Sequence, residues 1–145
     1  MKLTEEQIKE IAEELQLGMR FLYNMKTGEV KSVMDFSRFP DADEELWEDD
    51  LNEIEENWDD YFEFDSMESR DEYQVMAEFV ENVDDEKLKE KLEDALNGPK
   101  PFKIFKWQID NSGPYRQKWF DYRDMRSIEW VKQQIEVCNR RMENE

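Results

Sequence analysis

Apolar side chains recur along this chain at two periods, and each change of period marks an element. Ile8, Ile11, Ala12 and Leu15 fall at helical spacing, Thr4 and Gln7 form a T-x-x-Q capping box ahead of them, and Gly18 suits the end. This predicts a helix over 4–17. The period then drops to two. Phe21 and Tyr23 share one face of a strand and Leu22 takes the other; "MKTGE" supplies a turn with Gly28 at a positive-φ position, and Val30 to Phe36 return. Pro40 ends the hairpin, since it cannot join a central ladder.

Helical spacing resumes in an acidic segment, 41–58, where Trp47, Leu51, Ile54 and Trp58 make one stripe. Tyr61, Phe62 and Phe64 suggest a short third strand. Two helices are expected next. One is opened by a Ser69/Glu72 box and lined by Tyr73, Met76, Ala77 and Val80. The other is capped by Asp84 or Asp85, lined by Leu88, Leu92, Ala95 and Leu96, and stopped by Gly98-Pro99. "PFKIFKW" predicts a helical turn or brief helix. Pro114 precedes a last helix from about Tyr115 to about Arg140. The expected class is α+β: a small antiparallel sheet packed with about five helices, the C-terminal one long, in a single domain spanning 1–145.

Composition removes several chemistries. The 145 residues include no histidine, one cysteine (Cys138) and four isolated glycines. Histidine-based nucleophile activation, histidine-ligated metals, a structural zinc site and glycine-loop nucleotide binding are therefore not expected. No apolar run is long enough to span a bilayer, and "MKLTEEQIKE" lacks the apolar core of a signal peptide. A cytoplasmic protein without cofactor or metal is the expectation, with no membrane partner.

Charge is uneven. Residues 1–98 hold 10 Lys and Arg against 32 Asp and Glu, net −22; residues 99–145 hold 10 against 7, net +3, which together give the chain's −19. Such a field repels nucleic acid and anionic membranes at long range. The carboxylates of 41–65 lack the spacing and turn glycine of a calcium loop, and on a patterned helix they read as a solvent face. An acidic surface carrying Trp and Phe could also occupy a basic groove on a partner, as a nucleic acid would.

The basic counterpart is "FKIFKWQIDNSGPYRQKWFDYRDMRSIEW", 102–130. On a helical wheel Tyr115, Trp119, Tyr122, Trp130 and Val137 form one stripe, and Phe120, Ile128, Val131, Ile135 and Cys138 a second. Arg116, Arg123 and Arg141 lie between them. The candidate binding residues are Lys103, Lys106, Arg116, Trp119 and Arg123: cations beside stackable rings can hold single-stranded nucleic acid or a phosphate ligand. The competing reading has the guanidiniums lying across the protein's own rings and pairing with its surplus acids.

Three ordered blocks carry a family resemblance: "YNMKTGEV", "SRDEYQVMAEFVENVDDEKLKEKLEDALNGPKPFKIFKWQI" and "YRQKWFDYRDMRSIEW". Ser69, Arg70, Tyr73, Met76, Phe79, Gly98, Phe102, Phe105, Lys106, Trp119, Phe120 and Arg123 occupy the shared positions. Over roughly 20–131 the chain resembles a bacterial uncharacterised protein family of the UPF series, number 0158. After Gly98 it departs: members often carry a further Gly or Arg there, and this chain has "PKPF". The resemblance implies a bacterial cytoplasmic protein and brings no catalytic residues. The functional expectation is a non-enzymatic acidic protein–protein interaction module. The alternative is nucleic-acid or phosphate-ligand binding through the basic-aromatic region.

Overall fold

The computed structural model describes residues 1–144. Its order is α1 (Glu5–Gln16), β1 (Met19–Asn24), β2 (Val30–Met34), α2 (Glu48–Glu56), β3 (Tyr61–Phe64), α3 (Ser69–Glu81), α4 (Glu86–Asn97), α5 (Pro101–Asp110) and α6 (Tyr115–Glu143). Single 3-10 turns at Glu44–Trp47 and Trp58–Asp60 flank α2. The class is α+β, with a three-stranded antiparallel sheet in the order β2-β1-β3 and a long C-terminal helix. The chain forms two compact units. Met1–Ser66 with Ser127–Glu145 make the sheet unit, and Met67–Arg126 make the helical unit.

In the sheet unit the period-two pattern does what it promises. Phe21 and Phe64 are cross-strand partners on one face, and Leu22 and Val33 lie on the other. The first face packs against Ile8, Ile11, Ala12 and Leu15 of α1 and Val131 of α6. The second packs against Ile54 of α2, with Trp47, Leu51 and Tyr61 at its margin. Both faces of this small sheet are therefore covered. Thr4 and Gln7 close the expected capping box on α1. Gly18 follows at φ +85°, where a Cβ would press on the Phe39 ring at 3.2 Å. The hairpin loop is held by buried Asn24, whose Oδ1 accepts from the amides of Lys26 (2.9 Å) and Thr27 (3.0 Å).

The helical unit is built on a core of Val75, Met76, Phe79, Leu92, Phe105 and Trp119, among others. Three details differ from the sequence reading. The N-cap of α3 is Glu68, not Ser69; its amide donates to Asp71 Oδ2 at 3.0 Å. Val75 and Phe79 are buried on α3 while Tyr73 and Ala77 are only partly so, because Phe79 turns to meet the Trp119 and Tyr122 rings. "PFKIFKW" is part of a full ten-residue helix, α5, with Pro101 in its first turn. Gly98 before it is extended; a Cβ there would sit 3.2 Å from the Asp94 carbonyl oxygen, and the positive φ falls on Lys100.

Candidate functional site

The basic-aromatic stretch divides by burial. Trp119 is only 9% exposed. Its ring meets Phe79 and Phe105 edge-on, at centroid distances of 5.2 and 5.0 Å, so it offers no open face for stacking a base. Arg116 and Arg123, seven residues apart, both lie over the Phe120 ring, at 4.7 and 5.0 Å from its centroid. Each also reaches a carboxylate of its own unit: Arg116 Nε donates to Asp110 at 3.3 Å, and Arg123 lies 3.7 Å from Asp124. These side chains are partly exposed, so their ion pairs are weak and screened. The two wheel stripes separate along α6. Tyr115, Trp119, Phe120 and Tyr122 belong to the helical core, and Ile128, Val131 and Ile135 to the sheet core. Trp130 donates its indole N–H to the Asp65 carbonyl at 2.7 Å, and Val137 is exposed.

A further arginine, absent from the candidate set, is better held than either. Arg126 pairs with Glu78 of α3 and donates to the Tyr122 hydroxyl at 2.8 Å. Burial pulls its pKa down, but the bonds to Glu78 and Tyr122 outweigh that and leave it raised. Gln74 and Arg126 together hold the Glu78 carboxyl below the usual carboxylate range. The i, i+4 spacing of Tyr122 and Arg126 was the available signal; the partner on α3 was not readable without the fold.

Lys103 and Lys106 are different. Both are exposed on α5 and, among the described residues, pair with no carboxylate. Two buried side chains, Phe105 and Ile109, anchor that helix. Phe102, Ile104 and Trp107 remain exposed, Trp107 at 61%. Beside α5 runs an open groove of about 500 Å³, whose lining includes Lys91, Ala95, Pro99, Lys100 and Ile104, with Asp94 as its one carboxylate. A smaller cavity of about 230 Å³ lies by Phe79 and Tyr115. There Tyr115 donates to Asp84, whose pKa is lowered by that bond, and Lys118 covers the Tyr115 ring.

The sheet unit carries the opposite surface. Residues 41–60 hold 12 Asp and Glu and no Lys or Arg. Only Asp50 and Asp60, among the described residues, meet a cation, Lys31 at 3.1 Å and Lys26 at 3.2 Å. The hydrogen bond to Asp50 raises the Lys31 pKa, and Tyr61 donates to Glu53, so these bonds fasten α2 to the sheet. Trp58, expected on the buried stripe with Ile54, is 54% exposed, because α2 ends at Glu56 and the following 3-10 turn rotates it outward. Leu46 is 79% exposed between Glu45 and Trp47. Among the described residues no cluster of three or more Cys, Asp or Glu is arranged to hold a metal ion, and no helix is long and apolar enough to cross a membrane.

The model of an uncharacterised protein family, UPF0158, matches residues 5–141, and the chain belongs to that family. No curated protein and no solved structure matches it.

Proposed function

We propose that this chain is a non-enzymatic interaction module that presents its acidic segment, 41–60, to a basic, apolar-lined surface of a partner protein. One observation carries the reading: Leu46 and Trp58 stand in solvent at 79% and 54% exposure, inside a run of carboxylates that the protein itself leaves almost without cations. A solvent face needs charge for solubility, but it does not need large apolar side chains set among the charges. Aromatic and aliphatic anchors surrounded by a polar rim are the usual anatomy of a protein–protein interface. The surplus negative charge would steer a cationic partner and set its register.

The test is capture from bacterial lysate by two baits, the wild type and a chain with Glu45→Gln, Glu48→Gln, Asp49→Asn and Leu46→Ala. These side chains lie at the surface, so folding should be retained. A protein retained by the first bait and lost by the second is expected. Equal recovery by both, or recovery by neither together with a chain that stays monomeric in solution, sinks the acidic-face reading.

The alternative, capture of single-stranded nucleic acid or a phosphate ligand, has narrower support. Of Lys103, Lys106, Arg116, Trp119 and Arg123, only the two lysines are both exposed and without an ion-pair partner among the described residues. It requires salt-sensitive oligonucleotide binding that Lys103→Ala with Lys106→Ala removes. Undetectable binding at low salt would end it.

A further inference from the structure

The two exposed surfaces are complementary to each other. In the helical unit, the groove beside α5 is lined by apolar Ala95, Pro99 and Ile104 and by two exposed lysines, Lys91 and Lys100, against one carboxylate, Asp94. On the α5 ridge, Lys103 and Trp107 continue the exposed side that Ile104 gives to the groove, since Lys103, Ile104 and Trp107 fall within about a third of a turn of one another at 100° per residue. In the sheet unit, the most exposed large apolar side chain, Leu46, projects from a 3-10 turn whose neighbours Glu44, Glu45 and Glu48 are all exposed and, among the described residues, pair with no cation. An isolated leucine ringed by carboxylates is the shape and charge that a groove lined by apolar groups and lysines accepts.

We infer that the occupant of the α5 groove is a second copy of this chain, docked through the acidic turn 44–48, with Leu46 seated between Lys91 and Lys100. This deepens the interaction-module reading, on which it rests, by naming the partner of the acidic segment. The net charge of −19 does not forbid it. At physiological ionic strength the Debye length is about 8 Å, so the bulk of each copy's charge is screened while groups in contact are not. The groups that meet are opposite in sign, except Asp94, which also lines the groove and which the two lysines outnumber. Burying Leu46 and Ile104 removes apolar surface from water on both sides. Because the contact joins two different surfaces, it closes as a two-fold dimer where each copy fills the other's groove, and otherwise extends into a longer chain.

The experiment measures weight-average mass by sedimentation over a range of concentrations, for the wild type and two charge-reversed chains. One carries Lys91→Glu and Lys103→Glu, the other Glu45→Lys and Glu48→Lys; circular dichroism checks that both stay folded. The wild type should rise from 17.8 kDa toward twice that mass or beyond. Each reversed chain alone should need about tenfold more protein, or more, to associate, since like charges then face each other across the contact. An equimolar mixture of the two should recover association, because each reversed surface meets its complement. A wild type that stays at 17.8 kDa at every concentration overturns the inference. So does association that neither reversal weakens, or a mixture that shows no recovery. Oligonucleotide binding by a chain that stays monomeric, lost with Lys91→Glu and Lys103→Glu, overturns it in favour of a phosphate ligand. The capture experiment answers separately: a foreign protein lost with the acidic-face variant keeps the module reading alive even where self-association fails.

Discussion

The α2 helix of the sheet unit and the α5 helix of the helical unit are built alike and charged oppositely. Each is about ten residues long and is fixed by very few buried side chains: Ile54 in one, Phe105 and Ile109 in the other. Large apolar groups stand in water on α5 itself and, beside α2, in the two 3-10 turns that flank it. Yet the segment around α2 has twelve carboxylates and no cation, while residues 99–109 have three lysines and no carboxylate. The units that carry them differ in the same sense. The sheet unit holds 9 Lys and Arg against 25 Asp and Glu, net −16, and the helical unit 11 against 14, net −3. A short helix can be pinned by one or two side chains and still devote the rest of its circumference to a surface of one sign. What pins it and what it displays are therefore separable by mutation.

The largest effect should come from the pins. Phe105→Ala removes a ring that is 2% exposed and touches Trp119, and should cost about 3–5 kcal/mol in chemical denaturation. Ile54→Ala should cost about 2–4 kcal/mol, because fewer methylenes leave a smaller cavity. If Ile54→Ala proves the more damaging, the two helices are not anchored in the same way and the parallel fails.

Next in size is a pH effect confined to the helical unit. Glu78 has its pKa lowered by Gln74 and Arg126, so its contribution is present above the unfolded carboxylate pKa and is lost as pH falls through the lower folded value. Melting temperature followed downward from neutral pH should fall less steeply in Glu78→Gln than in the wild type. Identical acid limbs would mean that the Arg126 pair contributes nothing to the folded state.

The smallest effect should come from the displayed surfaces. Trp107→Ala and Leu46→Ala, both at exposed positions, should change stability by no more than about 0.5 kcal/mol. A loss above that would mean the side chain packs within its own unit and is not held out for a partner.

Much of this could be read from local pattern. The capping box of α1, the hairpin with Gly28 at φ +76°, the third strand and the Asp85-capped α4 all follow from rules that act over a few residues. The family membership, too, was carried by ordered blocks of sequence. Where pattern and structure part, longer-range packing decides. Trp58 fits the stripe of α2 by spacing, but the helix ends before reaching it. "PFKIFKW" reads as no more than a helical turn or brief helix, and α5 runs to ten residues because Phe105 and Ile109 have a core to enter.

The candidate residues show the same division. The wheel placed Arg116 and Arg123 beside the apolar side of α6, and both do lie across Phe120. It could not say that Trp119 would be enclosed by Phe79 and Phe105, or that Arg126 would meet Glu78 forty-eight residues away. The sequence by itself determined the elements, the charge asymmetry and the chemistries lacking their residues, because periodicity, caps and composition are local or additive. Only the tertiary structure decided which cations are neutralised and which apolar groups remain in water. Those outcomes depend on distances between segments far apart in the chain, where an ion pair or a buried ring exists only once packing has brought both partners together.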